Sequence, residues 1–323
     1  MAEVTAKWLR LGADVLGWVA TAAGAAGIAL YFSTSSARPL VLAASGAPYL
    51  MAGAFVGLVV FAVRRRGIGV LVAAAVATAA VWTQAPLHVG TEAREDGPVV
   101  TVMQANILYD GGADPDAVVA RVRDLDVDLL TVNELTPVAV DALAEAELDD
   151  LLPHRYVVPG SLAAGTGIWS RHPLSETVEY DGFVFRQISA IAEIPGAGPV
   201  AVYAFHPVPP VFGTEVWATE LAHLKDILDN SPADIPAVVG GDFNATYGHS
   251  QYRALLSGRF GDAAEQVGAG TVRTFPADRP GPPLVAIDHI LVADGTALTL
   301  DSVDLPGADH LAVVARVRLS SDR

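Results

Sequence analysis

Hydrophobic positions in this chain follow two regimes that change near residue 86. Before it, residues 11–32, 39–63 and 67–85 are almost continuously apolar. Each run approaches or exceeds the roughly 20 residues that a helix needs to cross a hydrocarbon layer. A soluble helix of that length would carry a polar face, so the pattern predicts a membrane anchor of three transmembrane helices over residues 1–86. A cleavable signal peptide fits the first run poorly, because its apolar region is too long and two further runs follow. Residues 87–97 are polar and broken by Gly and Pro, as in a linker.

From residue 98 the pattern turns to short apolar stretches separated by turn residues. Strands are predicted over 99–106, 128–133, 155–158, 167–170, 183–194, 200–205, 237–241, 284–292, 297–303 and 311–319. Helices are predicted over 114–125 and 136–148, each opened by a capping residue and a first-turn proline (Asp114-Pro115 and Thr136-Pro137), and over 214–229 and 251–256. Strands and helices interleaved in this way describe an α/β domain, 98–323, with two sheets packed face to face and helices outside.

Charge divides at the same boundary. Residues 1–86 hold six basic and two acidic residues, a net of +4, which leaves −20 of the total −16 on the remainder. So acidic a domain is a poor electrostatic partner for nucleic acid. Lys7, Arg10 and the triplet Arg64-Arg65-Arg66 flank the apolar runs, whereas Arg38 stands alone between the first two. Positive charge belongs on the cytoplasmic side, so three crossings place the amino terminus inside and the domain outside. The expected localisation is the cytoplasmic membrane, multi-pass, with an extracytoplasmic domain. The absence of cysteine excludes disulfides, thiol catalysis and thiolate metal sites.

Candidate chemistry gathers where strands end, as active-site groups do in α/β folds. Val238-Val239-Gly240-Gly241-Asp242-Phe243-Asn244 delivers a carboxylate and a carboxamide two positions apart, on the same side of an extended backbone. The glycines allow unusual backbone and close approach of a ligand. Asn106, Glu134, His206 and the pair Asp309-His310 stand at or just beyond strand ends, and Asp288 lies within one. Most have an ordinary structural explanation: a turn for Asn106 and for the Asp242–Asn244 segment, a helix start for Glu134, a loop for His206. Asp288 is harder to explain so, because an ionised side chain inside the apolar run 285–292 is costly without a partner.

With these residues in view, Q-A-N at the first strand, V-N-E at the second, T-G-I-W-S-R-H-P, the F-H-P loop, G-G-D-F-N-A, I-D-H-I-L-V and the final A-D-H-L-A-V-V resemble the endonuclease/exonuclease/phosphatase superfamily, over residues 98–320 and in the family's order. Together with the apolar runs, the chain resembles the VanJ-type membrane members associated with teicoplanin resistance. The resemblance implies a four-layer α/β sandwich, DNase I-like, with two stacked mixed β-sheets flanked by helices. It also implies a metal-dependent phosphatase or phosphodiesterase-type hydrolase using Mg²⁺, with Mn²⁺ as a substitute. Carried over by position, Asn106, Glu134 and Asp309 are metal residues. Asp242 and Asn244 orient the water, the phosphate or a second metal. His310 is general base or phosphate contact, Asp288 holds its ring, and His206 donates to the phosphate or leaving group. Ala286-Ile287 before Asp288, His289 after it, and Ala308 before Asp309 depart from the family's usual residues. On a strand His289 should face away from Asp288.

For partners, the acidic domain and its membrane tether favour a lipid phosphate or pyrophosphate, undecaprenyl pyrophosphate being the natural candidate for a VanJ-like protein. The apolar loop 207–212 beside His206 offers either a landing for a prenyl chain or a rigid proline-rich loop packed on the domain. An extracellular metal-dependent endonuclease or exonuclease and a phospholipid phosphodiesterase are the enzymatic alternatives. A catalytically silent membrane sensor or binding module is the non-enzyme one.

Overall fold

The computed structural model describes residues 1–92, 96–109 and 112–321. Positions 93–95 of the expected linker and the terminal 322–323 lie outside the described residues. The chain divides into two compact units, Met1–Pro86 with Tyr247–Ser250, and Leu87–Thr246 with Gln251–Arg323.

The first unit is helical: α1 (Ala2–Tyr31), α2 (Arg38–Ala44), α3 (Ala47–Val63) and α4 (Gly67–Gln84). Two helical stretches, Val4–Tyr31 and Gly67–Leu87, are long and apolar enough to cross a membrane. The middle run differs from the single span expected over 39–63, because α2 and α3 are bent by 67° where they meet. Pro48 explains the break: it has no N–H, and its ring clashes with the carbonyl four residues back, which is Ala44, the last residue of α2. If the bent pair counts as one span, the total reaches three.

Helices α1 and α3 run antiparallel with small residues between them. Gly17 lies against Phe61, Gly24 against Ala54, and Gly27 against Ala47 and Met51. Close backbone approach through small residues is how helices associate where water supplies no drive. At one end Asp14 is 3.2 Å from Arg64 Nε and 2.5 Å from an Arg66 guanidinium nitrogen.

In the second unit, β1 (Val99–Asn106), α5 (Pro115–Asp124), β2 (Leu129–Asn133), α6 (Pro137–Glu145), α7 (Leu148–Leu151), β3 (His154–Val158) and β4 (Thr166–Ser170) come first. They are followed by β5 (Leu174–Tyr180), β6 (Gln187–Ile194), β7 (Gly198–Phe205), α8 (Thr214–Asp229), β8 (Ala237–Asp242), α9 (Ser250–Leu255), β9 (Phe260–Asp262) and α10 (Ala263–Val267). The last three strands are β10 (Asp288–Ala293), β11 (Gly295–Val303) and β12 (Ala312–Leu319). Asp114 and Thr136 cap α5 and α6 through their side chains, each with a proline in the first turn, as the sequence signature predicts.

The strands form two six-stranded sheets, ordered β11-β12-β1-β2-β4-β3 and β5-β6-β7-β8-β10-β9. Both are mixed: β1 and β2 are parallel, as are β7 and β8, and the remaining neighbours are antiparallel. Val102, Leu129, Ile188, Val202, Val238 and Ile290 are among the buried side chains that form the core between them. A second apolar layer, with Val118, Val122, Leu130, Leu143 and Trp169, joins α5 to α7 to the first sheet.

Several boundaries differ from expectation. The strand expected over 183–194 begins only at Gln187, because Val184 gives its N–H to Glu220 in a loop. The strand expected over 284–292 begins at Asp288, since Leu284 and Val285 pair with Phe275 instead. Strands β5 and β9 were not expected: β5 is an exposed edge with charged residues, and β9 has three residues. Residues 87–92 run along this unit, Gly270 donating to the Leu87 carbonyl and Thr91 to that of Gln266.

Candidate active site

Asn106, Asn133 and Asp242 are the last residues of β1, β2 and β8, and His206 follows the last residue of β7. Asp288 opens β10 rather than lying within it, directly opposite Asp242 in the antiparallel register. Asp309 and His310 immediately precede β12, which runs antiparallel to β1. Chain direction therefore brings all these positions to one end of both sheets.

Asn106 joins the two sheets there. Its fully buried amide nitrogen donates to Glu134 Oε1 at 3.1 Å and to Asp242 Oδ2 at 3.1 Å. Glu134 adopts a left-handed backbone, φ 62°, and its second oxygen accepts from the Tyr109 N–H at 3.1 Å. Such a conformation is strained for a residue with a Cβ and gathers at functional sites. It turns the carboxylate from the end of β2 toward Asn106.

Across the site, Asp288 Oδ2 lies 2.8 Å from His310 Nδ1. The other ring nitrogen, Nε2, lies 3.8 Å from Asp242 Oδ2, and His206 Nε2 is 3.7 Å from the same oxygen. Phe275 packs on the His310 ring and Phe185 on that of His206, with ring centres 4.8 Å apart in both pairs. Asp309 is half-buried, and its Oδ1 has no hydrogen-bond partner in the described structure; Asp288 Oδ1 and His206 Nδ1 are alike in this.

Burial shapes the charges. It pushes the Asp242 carboxyl up to about 7, with repulsion from Asp288 adding to the effect. Burial also raises Glu134 and Asp309, outweighing the hydrogen bonds from Asn106 and Tyr109 in the first and the attraction of His310 in the second. At His310 burial acts downward, but the neighbouring Asp288 and Asp242 prevail and lift it to about 10. Burial, with repulsion from His310, lowers His206 to about 3. At neutral pH the site therefore holds one cationic imidazole and one neutral one.

Two expectations change. Asn244 does not share a face with Asp242 by strand alternation, because β8 ends at Asp242. Asn244 instead takes a left-handed conformation, φ 49°, and donates its amide to the Pro207 carbonyl at 3.1 Å, fastening the loop after His206. Gly240 and Gly241 stay within β8 rather than forming a turn that meets a ligand. A side chain on Gly240 would collide with the Thr131 hydroxyl of the facing sheet, and one on Gly241 with the Phe205 carbonyl.

Other supports escaped the sequence reading. Gln187 holds His206 by both backbone groups, accepting from its N–H at 2.6 Å and donating to its carbonyl at 2.7 Å. Asn133 Oδ1 accepts from the Asp242 N–H at 2.9 Å. Asn133 was visible within V-N-E, but nothing in the pattern around Gln187 marks it. His289 faces away, its ring nitrogens 3.2 Å from Asp262 Oδ2 and 3.0 Å from the Ala245 carbonyl.

The donor chemistry fits a hard divalent cation. Glu134 and Asp309 are carboxylates that burial drives toward neutrality, Asp309 keeps an unpartnered buried oxygen, and the Asn106 carboxamide stands beside them. All-oxygen sets of this kind suit Mg²⁺. Asp242, Asp288 and His310 also have ligand atoms within 4.8 Å of one another. However, His310 is already committed to Asp288 and cationic at neutral pH, so the oxygen set is the better cradle.

Stacked mixed sheets with carboxylates, an amide and imidazoles at one end define a hydrolase of phosphoester bonds. The sequence profile of the Endonuclease/Exonuclease/phosphatase family matches residues 103–322, and the chain belongs to that family. No curated protein matches it. Among solved structures, it is similar to an endonuclease/exonuclease/phosphatase from Beutenbergia cavernae at 23% identity and a TM-score of 0.56, covering 69% of this chain and 72% of that one. It is also similar to D. rerio TDP2 complexed with single strand DNA product, at 15% identity and a TM-score of 0.58, over 68% of this chain and 99% of that one. A mannosyl-6-phosphatase from Bacteroides thetaiotaomicron is similar at 17% identity and a TM-score of 0.54, over 68% and 99%. At these identities the likeness establishes the shared fold.

Proposed function

We propose that this chain is a membrane-anchored, Mg²⁺-dependent hydrolase acting outside the cytoplasmic membrane on a lipid phosphate or pyrophosphate, most simply a prenyl pyrophosphate, in the manner of VanJ-type members of the family. The observation that carries the reading is the Asn106 bridge, which holds Glu134 of one sheet beside Asp242 of the other. The apolar first unit and the net charge of −20 beyond it direct the choice toward a membrane lipid rather than a polyanion.

Glu134, Asn106 and Asp309 would hold the cation, which supplies Lewis acidity toward a phosphate oxygen and a more acidic bound water. Phosphoryl transfer depends chiefly on positioning and charge neutralisation, and the remaining residues serve those ends. The Asp242 carboxylate, near 7, is matched to taking a proton from the attacking water at neutral pH. The water oxygen forms a new bond to phosphorus as the bridging P–O bond breaks. His310, cationic and held by Asp288 through Nδ1, presents Nε2 to the phosphate oxygens. His206, neutral, has one N–H to give to the phosphate or leaving oxygen. Asn244 keeps its loop in place.

The test is phosphate release from a prenyl pyrophosphate by the purified full-length protein with Mg²⁺, run beside plasmid nicking and a His310→Ala control. Release without nicking, lost in the variant, is expected. Nicking without release would make this a membrane-bound nuclease. Neither activity, together with no Mg²⁺ binding, would leave a binding module.

A further inference from the structure

Beside Glu134 the second unit opens a cleft that the proposed chemistry does not use. It has a volume of about 720 Å³ and lies between the first turns of α5 and α6, lined by Val118, Val138, Ala139, Ala142, Leu143 and Leu162 among others. That volume falls within the range of roughly 300–1,000 Å³ typical of small-molecule sites. Its position follows from the topology. Helices α5 and α6 follow β1 and β2, so their amino ends stand at the same end of the sheet as Asn106 and Glu134. Thr136, the α6 cap two residues after Glu134, is itself part of the lining, as is Tyr109, whose N–H holds the Glu134 carboxylate.

The wall is apolar where it is deep and remains apolar where it meets solvent. Val118 and Leu143 belong to the buried layer beneath the helices. At the mouth, Val138 and Leu162 are 77% and 67% exposed. Leu162 sits on the loop between β3 and β4, which is fixed to the site by two backbone bonds, Leu135 to Gly165 and Gly160 to Leu135. Large side chains left in water beside a buried polar site carry a cost that burial under a ligand would recover. Apolar exposure continues at this end on neighbouring loops, at Val184, Val211 and Phe212.

The geometry points to this cleft as the subsite for a single hydrocarbon chain of the substrate, its phosphate end at Glu134 and Asp242 and its apolar chain between α5 and α6. The inference rests on the reading proposed above and sharpens it. It assigns the chain to the α5–α6 cleft rather than to the loop 207–212, and it makes chain length a determinant of affinity. Continuity decides the occupant, because the cleft opens beside the carboxylate that would face the phosphate, and its lining carries no basic side chain to welcome a nucleic-acid backbone. Each buried methylene contributes about 0.8 kcal/mol, so even two or three in the cleft amount to a tenfold or greater preference for a long chain.

The test has two arms, both on the full-length protein in nanodiscs. In the first, C15 and C5 prenyl pyrophosphates are compared in wild type and in Ala142→Trp, which fills the cleft without touching Glu134, Asp242 or His310. The expected result is a KM for the C15 substrate at least tenfold higher in the variant, with kcat and all C5 kinetics within twofold. Equal losses on both substrates, or no change on either, would overturn the assignment. In the second arm, a C15 prenyl pyrophosphate with a diazirine at the chain end is photolysed on wild type and the labelled peptides are mapped. Label within Pro115–Asp124 or Pro137–Glu145, removed by excess unlabelled C15 pyrophosphate, supports the cleft; label confined to Met1–Pro86 or to the loop 207–212 refutes it. Labelling decides the cleft even where neither substrate is turned over, an outcome that removes the proposed reaction and leaves the subsite standing if label falls on α5 or α6.

Discussion

Asn106 has no catalytic proton to give, yet its amide is where the two sheets exchange their chemistry. It donates to Glu134 and Asp242 at once, so both carboxylates are placed by one buried side chain. Glu134→Gln keeps that hydrogen-bonded shape while removing the charge, and the expected outcome is loss of metal-dependent turnover with an unchanged fold, checked by Mg²⁺ titration and circular dichroism. His310→Ala is expected to lower kcat by about 10²–10⁴, the range for a positioned acid or base; a loss below tenfold would contradict its role. The raised Asp242 makes a third expectation. Part of this carboxyl is protonated at neutral pH, and a cation settling beside it displaces that proton. Mg²⁺ binding should therefore release protons below and near pH 7 and tighten as pH rises through about 7. Calorimetry in buffers of different ionisation enthalpy measures this directly. Most of the residues that meet here were readable, because polar groups at strand ends stand out against apolar runs. The turn of Asn244 toward Pro207 was not, since a left-handed conformation after a strand leaves no trace in hydrophobic spacing.

At the scale of elements, β10 carries two adjacent side chains to opposite fates. Asp288 faces the site, and His289 faces Asp262, which also accepts from the Tyr252 hydroxyl at 2.7 Å and caps α10 through the Ala264 N–H. Burial opposes both charges, yet the pairing raises His289 above its ordinary value and holds Asp262 below its own. The raised imidazole contributes stability that is complete below its unfolded value of 6.5 and is lost as pH rises through its folded value. The lowered carboxyl contributes above its unfolded 3.8 and loses that contribution as pH falls through its folded value. The pair is therefore strongest between those unfolded values. His289→Gln should cost about 3–5 kcal/mol near pH 5–6, as removing one partner of a buried pair does, with the difference shrinking in alkali; thermal unfolding across pH checks it. The strands β6, β7 and β8 were legible as apolar runs bounded by turns. The edge strand β5 was not, because its exposed side chains, Glu176 and Glu179 among them, carry no core-facing signal. The bend between α2 and α3 was also missed, because a continuous apolar run conceals a proline's lost hydrogen bond.

On the scale of the whole chain, the sharp change from apolar to alternating pattern near residue 86 announced both units, and the charge asymmetry bears on how they are used. A phosphatase on a soluble polyanion gains nothing from a net of −20 around its site, whereas one that meets a tethered lipid is helped by anchoring, which raises local concentration. Reporter fusions just after residue 90 are expected to indicate an exterior location; cytoplasmic activity would remove the lipid reading's compartment. The bend at Pro48 bears on that result through simple parity. Helix α3 continues along α1 from Ala47 against Gly27 to Phe61 against Gly17, and Asp14 then meets Arg64 and Arg66. The chain thus returns to the level at which it began before α4 sets out again, and an odd number of traverses carries whatever follows to the far side. A kink that turned α3 back early would make the count even and strand the Arg triplet with the wrong leaflet.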